Sequence, residues 1–372
     1  MSIPVPRTSS AAPRPRRPTA RGRGGPCCRA FQPRVAGPLL ALTWMLLGPA
    51  VALADPPSGP HAKASDDAAS AAVAEERAPR RQVALTFDDL PAVPMRSLAD
   101  ARRITDDLLA GLARHQIPAM GLVNEGKLVH PDEYPGRLDL LRRWLADGHL
   151  LGNHTANHPS IDAVGADAFQ ADVLAGEPAL RELLAERRQS LRYFRHPYLQ
   201  TGRRAEERRQ VDRFLAERGY TIVPVTLENN DWLFNAVYVR ALREGDPATA
   251  ERVAEAYLDH TDQLLGFLES VARRFFEREI PHILLLHANW LNTDHLDGLV
   301  GRLRARGYDF VDVPTALEDP AYGSADTFVG PQGAHWLYRW VVSADPAVAE
   351  GYSWTEEPQP TEWVAERYRE RR

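Results

Sequence analysis

The chain has 372 residues, 44% of them hydrophobic and 26% charged, enough to bury a full core in one large domain with extensions. The formal net charge is −5, but residues 1–34 carry eight arginines and no acidic residue, and residues 35–54 carry no charge. Taking those eight positive charges from −5 leaves −13 for residues 55–372. A body this acidic argues against nucleic acid as a partner and disfavours strongly anionic glycans as substrates.

In chain order, the basic stretch through Arg34 reads as the n-region of a signal peptide. Pro38–Val51 reads as its apolar core, and Ala52-Leu53-Ala54 as a cleavage site before Asp55. Residues 1–54 are therefore expected to direct export to the periplasm or the extracellular space, leaving a mature chain off the membrane; an uncleaved membrane anchor is the other reading. The two cysteines, Cys27 and Cys28, precede the apolar run, so the mature chain would carry no disulfide. Residues 55–80, rich in Ala, Pro, Ser and charge, read as a flexible linker.

From Gln82 the pattern alternates. Strands are expected at 82–87, 118–123, 149–153, 191–194, 220–223, 283–286 and 308–311. Between them, apolar residues at helical spacing predict helices at 98–114, 136–147, 166–187, 203–218 and 294–306. Residues 234–280 are longer than a crossover needs and read as a helical insertion. Strands alternating with helices imply a parallel sheet with right-handed crossovers. About seven such units predict an α/β fold, a distorted (β/α) barrel of about seven parallel strands over 81–319. Residues 320–372 form an aromatic-rich extension, packed on that domain by apolar contact, offering a sugar-stacking surface, or shaping or covering the cleft.

Polar clusters fall where strands end, which is where barrels place their chemistry. They are Thr86-Phe87-Asp88-Asp89, His154-Thr155-Ala156-Asn157-His158, Arg195-His196-Pro197-Tyr198, Asp231-Trp232 and His287. Adjacent residues of a strand point opposite ways, so Asp88 and Asp89 are free to do different jobs. His154 and His158, four apart, fall on one side of a helical turn and suit a divalent ion. Two imidazoles and one carboxylate leave coordination positions open, the pattern of a catalytic metal.

Together and in this order the clusters resemble the five motifs of the NodB-homology polysaccharide deacetylases, carbohydrate esterase family 4. The resemblance spans residues 82–318. It implies Asp88 as catalytic base, with Asp89, His154 and His158 as ligands of one divalent ion, zinc or else cobalt or nickel. Arg195 would hold and tune Asp88, favouring its charged form, and the backbone N–H of Tyr198 would bind the oxyanion. Asp231 would orient His287, the general acid, and Trp232 would wall the acetyl pocket. The implied substrate is an N- or O-acetylated glycan. The sequence departs from the family pattern at Leu90, where Gly is usual, and at Glu228, which replaces the first Asp of the fourth motif. These changes put the glycan in doubt more than the reaction.

Two other functions compete: a hydrolase of small non-carbohydrate amides on the same fold, and an inactive carbohydrate-binding homologue. Export counts against the first, and the complete set of ligands, base and acid counts against the second. His115, His130, His149, His260, His282 and His335 read as packing or surface histidines. His295, Asn289, Trp290, Asn292, Tyr238 and Tyr257 are candidates to reach the cleft. Sequence leaves oligomeric state open.

Overall fold

The structure, a computed structural model, describes residues 81–331, 333–344 and 351–370. The expected signal peptide (1–54) and linker (55–80) lie outside the described residues. No helix among the described residues is long and apolar enough to cross a membrane.

Chain order runs β1 (Arg81–Leu90), α1 (Leu98–His115), β2 (Ala119–Val123), α2 (Tyr134–Ala146), β3 (Leu150–Asn153), α3 (Ala166–Ala175), α4 (Pro178–Glu186) and β4 (Tyr193–Phe194). It continues with α5 (Ala205–Glu217), β5 (Thr221–Ile222), β6 (Leu227–Glu228), α6 (Asp231–Glu244), α7 (Pro247–Phe276) and β7 (His282–His287). Last come α8 (Trp290–Ala305), β8 (Tyr308–Phe310), α9 (Val313–Leu317), α10 (Trp336–Ala344) and α11 (Glu362–Arg369). The strands form one parallel sheet in the order β5-β4-β3-β2-β1-β7-β6, with β8 paired to the start of β1. It is a curled, distorted (β/α) barrel.

Among the described residues, eight strands stand where sequence predicts about seven, and the extra one, β6, is a two-residue strand paired with β7. The helix expected over 166–187 is two helices, because Gly176-Glu177-Pro178 interrupts it. The stretch expected as an insertion is likewise two helices, parted at Gly245, whose φ is +70°.

The period-2 alternation of β1 decides what faces the site. Val83, Leu85 and Phe87 pack into the main core with the surrounding helices, whereas Ala84 joins a smaller cluster with Met120, Leu122 and Ile283. Thr86 and Asp88 share that second face. The β1–β7 register sets Asp88 opposite His287, so base and acid candidates meet across one strand pair. Leu90, the departure from the family pattern, is fully buried. Its bulk fits because Gly121 on β2 has no side chain: a Cβ there would lie 2.3 Å from Leu90 Cδ2.

The described residues of the C-terminal extension pack on the barrel. Trp336, Leu337, Trp340 and Val341 enter the main core, and Val364 enters the cluster formed by α6 and α7.

Candidate active site

A cavity of about 740 Å³ opens at the C-terminal ends of the strands. Its lining includes Asp88, Asp89, His154, His158, Tyr198, Glu228, Trp232 and His287. The ligand atoms of Asp89, His154 and His158 lie within 4.8 Å of one another.

These three do not come together as sequence reasoning expected. His154–His158 is a loop, not a helical turn, and Thr155 (φ +67°) and His158 (φ +55°) take left-handed backbone within it. Side-chain hydrogen bonds hold that shape. Asn153 Oδ1 accepts from Thr155 N at 2.7 Å, and Asn124 Nδ2 donates to His154 O at 2.7 Å. Behind Asn153 stands a buried relay: its Nδ2 donates to Tyr220 OH at 2.9 Å, and that hydroxyl donates to Glu177 at 3.0 Å. Asp89 too departs from strand alternation. Its φ of +69° leaves the extended region, so it joins Asp88 at the cavity rather than turning away.

The donor chemistry fits a divalent ion. His154 Nδ1–H donates to the Arg195 carbonyl at 2.8 Å, which leaves Nε2 with its lone pair. Burial pushes both His154 and His158 down to about 4, so both are neutral at pH 7. Burial opposes the Asp89 charge, yet Lys127 and the neighbouring imidazoles hold its carboxyl well below the usual range. Asp89 Oδ1 is buried and accepts no hydrogen bond, although Lys127 Nζ lies 3.4 Å away. An orphaned carboxylate oxygen beside two imidazole nitrogens fits the donor set of a divalent ion.

Asp88 and His287 sit in opposite environments. Asp88 is raised by burial, which outweighs the opposing Arg195 charge. Arg195 favours the charged form, as sequence reasoning expected, but burial, which sequence reasoning did not weigh, sets the net direction. The contact itself is close: Arg195 Nη1 donates to Asp88 Oδ1 at 2.6 Å and to Thr86 Oγ1 at 2.8 Å. Thr86 in turn donates to Leu284 O at 2.7 Å, tying the group to β7. His287 is half-buried, and the desolvation disfavours its charge, but Asp231 raises it to about 9. Asp231 is fully buried and takes His287 Nδ1–H at 2.7 Å, the His287 backbone N–H at 2.8 Å and Asn289 Nδ2 at 3.0 Å, as well as Asn292 Nδ2. His287 Nε2 remains free of that pair.

Tyr198 has left-handed backbone (φ +56°), and its ring meets His158 edge-on at 4.4 Å. Trp232, 42% exposed, lines the cavity and meets Tyr368 edge-on at 5.6 Å. Among the cleft candidates, Asn289 lines the cavity, while Asn292 sits behind it on Asp231 and the His287 carbonyl. Trp290 stacks under Arg103, Tyr238 donates to Asp294, and Tyr257 donates to Asn292. His295 packs against Tyr238. None of those four is in the cavity lining.

Sequence reasoning missed Thr86 as the anchor of Arg195 and Lys127 beside Asp89, and it did not say which residues of the C-terminal extension shape the cleft. Gly333 backs the Tyr198 turn so closely that a Cβ on it would lie 1.7 Å from Tyr198 O, and Tyr368 supplies a wall. Of these, the Thr86 position alone carried a signal, as a polar residue on the alternation shared with Asp88.

The family model described as polysaccharide deacetylase matches residues 75–216. A chitooligosaccharide deacetylase of Rhizobium leguminosarum bv. trifolii is 36% identical over 93 residues, 25% of this chain and 36% of that protein. A peptidoglycan-N-acetylglucosamine deacetylase of Bacillus cereus is 26% identical over 154 residues, 41% of this chain and 47% of that protein. The chain thus spans less than half the length of these relatives. A solved polysaccharide deacetylase of Bacillus cereus aligns over 63% of this chain and 92% of its own, at 20% identity and a TM-score of 0.43. Over residues 75–216 the chain therefore matches the polysaccharide deacetylase family, in line with the motifs that resemble the NodB-homology enzymes.

Proposed function

We propose that this protein is a metal-dependent hydrolase that removes acetyl groups from an N- or O-acetylated glycan outside the cytoplasm. The observation that carries the reading is the pairing of a buried carboxylate and an imidazolium in register on β1 and β7, beside an Asp-His-His cluster. The names of the matched relatives, which act on chitooligosaccharide and peptidoglycan N-acetylglucosamine, support the same reaction class. Export rests on the signal-peptide pattern of residues 1–54.

Asp89, His154 and His158 hold a divalent ion, most simply zinc, with cobalt or nickel also suited to two imidazoles and a carboxylate. When bound, that ion supplies Lewis-acid polarisation of an acetyl carbonyl and lowers the pKa of water from 15.7 towards about 7. Asp88 takes the proton of the attacking water. Its raised pKa makes it a stronger base than an exposed carboxylate, and Arg195 fixes its orientation. The Tyr198 N–H donates to the developing oxyanion, and Trp232 walls the acetyl group. His287 starts protonated and gives its Nε2 proton to the leaving nitrogen or oxygen, while Asp231 holds the ring through Nδ1. Acid and base are separated by environment, as the reaction requires.

Asp88→Asn tests the assignment. The variant is expected to keep its metal content and lose acetate release by at least about 100-fold. A metal-loaded Asp88→Asn protein turning over at the wild-type rate contradicts it.

A further inference from the structure

The cavity does not end at the proposed catalytic group. One face of α6 lines it throughout: Trp232, Asn235, Ala236, Val239, Arg240 and Arg243. Their spacing, alternately three and one, is that of a single helical stripe. At 1.5 Å per residue, the stripe runs about 16 Å from Trp232 to Arg243. The polar lining therefore changes along the helix. Carboxylates and imidazoles gather near its N-terminus, Ala236 and Val239 occupy the middle, and guanidinium groups stand at the far end. Arg96, from the loop that follows β1, lines the same cavity. Three arginines from two separate segments thus line one cavity of a chain body whose net charge is strongly negative.

Arg240 is partly shared with Glu244 at 3.9 Å and Glu370 at 3.5 Å. Arg96 is exposed and makes no hydrogen bond or ion pair with another described residue. Guanidinium is the side-chain group best shaped to take a carboxylate or phosphate through paired N–H donors.

We propose that Arg96, Arg240 and Arg243 form a subsite for an anionic substituent of the glycan, a carboxylate or a phosphate ester, remote from the acetyl group being cleaved. The proposal rests on the deacetylase reading and narrows it: the substrate is an acetylated glycan bearing negative charge. It reverses the expectation from net charge, because the potential that a bound ligand meets is set by the cavity wall and not by the whole surface. An apolar middle segment flanked by Trp232 and Tyr368 suits the ring faces of the sugars between the two ends.

The test uses the full chain and three N-acetylated trisaccharides that differ at one remote group: a carboxylate, a phosphate monoester and a neutral carboxamide. Acetate release gives kcat/KM for each, and calorimetry on Asp88→Asn gives binding without turnover. The expected result is at least a roughly tenfold preference for one anionic form over the carboxamide, expressed in KM, shrinking as salt is raised. The Arg96→Gln/Arg243→Gln protein should bring that ratio towards one. Equal turnover of all three by the wild-type protein overturns the anionic subsite and leaves the deacetylase reading standing. Absence of acetate from all three sinks the deacetylase reading, and the calorimetric ratio then judges the subsite alone: preference for an anionic form sustains it, and equal affinity removes it. The comparison among substrates needs no variant to fold.

Discussion

Replacing Asp231 with Asn should uncouple His287 from its charge. In the wild-type protein, burial disfavours the imidazolium and Asp231 restores it, bringing the group to about 9. Removing the carboxylate takes away the largest contributions opposing burial and leaves only the weaker pull of Asp89 and Asp88, so the group falls towards its ordinary value near 6.5. At pH 8 the protonated fraction then drops from about nine-tenths to about 3%, a roughly thirtyfold loss of the acid form; at pH 6 about three-quarters remains. Activity should therefore fall by about thirtyfold or more at pH 8 and far less near pH 6. A divalent ion at the Asp89 cluster would repel the imidazolium and lower the alkaline limb in both proteins alike, so the difference between them survives.

The fold pays as well. Asp231 accepts from His287 N, His287 Nδ1, Asn289 and Asn292, and one amide oxygen cannot serve four donors. Because the folded pKa is raised, the stabilisation from the charged pair, about 3 kcal/mol, is fully present below about pH 6.5. It is lost as pH rises through about 9. The assay is the pH profile of kcat/KM for acetate release, paired with an NMR titration of the His287 ring, which needs no turnover. An Asp231→Asn protein whose ring still titrates near 9, or whose profile keeps the wild-type alkaline limb, refutes the reasoning.

Other perturbations probe separate parts of the account. Gly121→Ala puts a methyl 2.3 Å from Leu90 Cδ2 and should cost about 1–3 kcal/mol, read as a fall in unfolding midpoint; an unchanged midpoint contradicts the packing argument. Gly333→Ala forces the Tyr198 turn to move, since its Cβ would sit 1.7 Å from Tyr198 O. It should lower kcat for acetate release while metal content stays constant, and an unaltered kcat would show that the extension does not govern that turn. Chelation should lower the thermal midpoint, and zinc should restore it in a concentration-dependent way, as expected for an ion bound only by the folded state. A midpoint indifferent to chelator argues against the Asp89–His154–His158 assignment.

Much of this was legible in the sequence because strand alternation and strand ends carry it. The Gln82–Phe87 run located β1, and its period put Thr86 and Asp88 on one face. His287 closes an apolar strand in the same way, so a parallel sheet brings it alongside Asp88. What the sequence hid was backbone conformation away from regular elements. Asp89, Thr155 and His158 adopt left-handed backbone that neither strand nor helix periodicity describes, so Asp89, His154 and His158 come together, but not through the helical turn expected. The net direction at Asp88 was hidden because it depends on burial, which outweighs the visible arginine partner. The cavity face of α6 was present as a spacing of three and four, yet nothing in the sequence said which face meets the cleft. The contributions of Gly333 and Tyr368 depend on long-range packing with no local signature.

The most direct test is acetate release from an acetylated oligosaccharide by the purified protein, measured as isolated, after chelation, and after zinc is returned. The account predicts release that chelation abolishes and zinc restores, with Asp89→Ala unable to recover. Release that persists at full rate in the metal-stripped protein, or none from any acetylated glycan when the metal is bound, would contradict it.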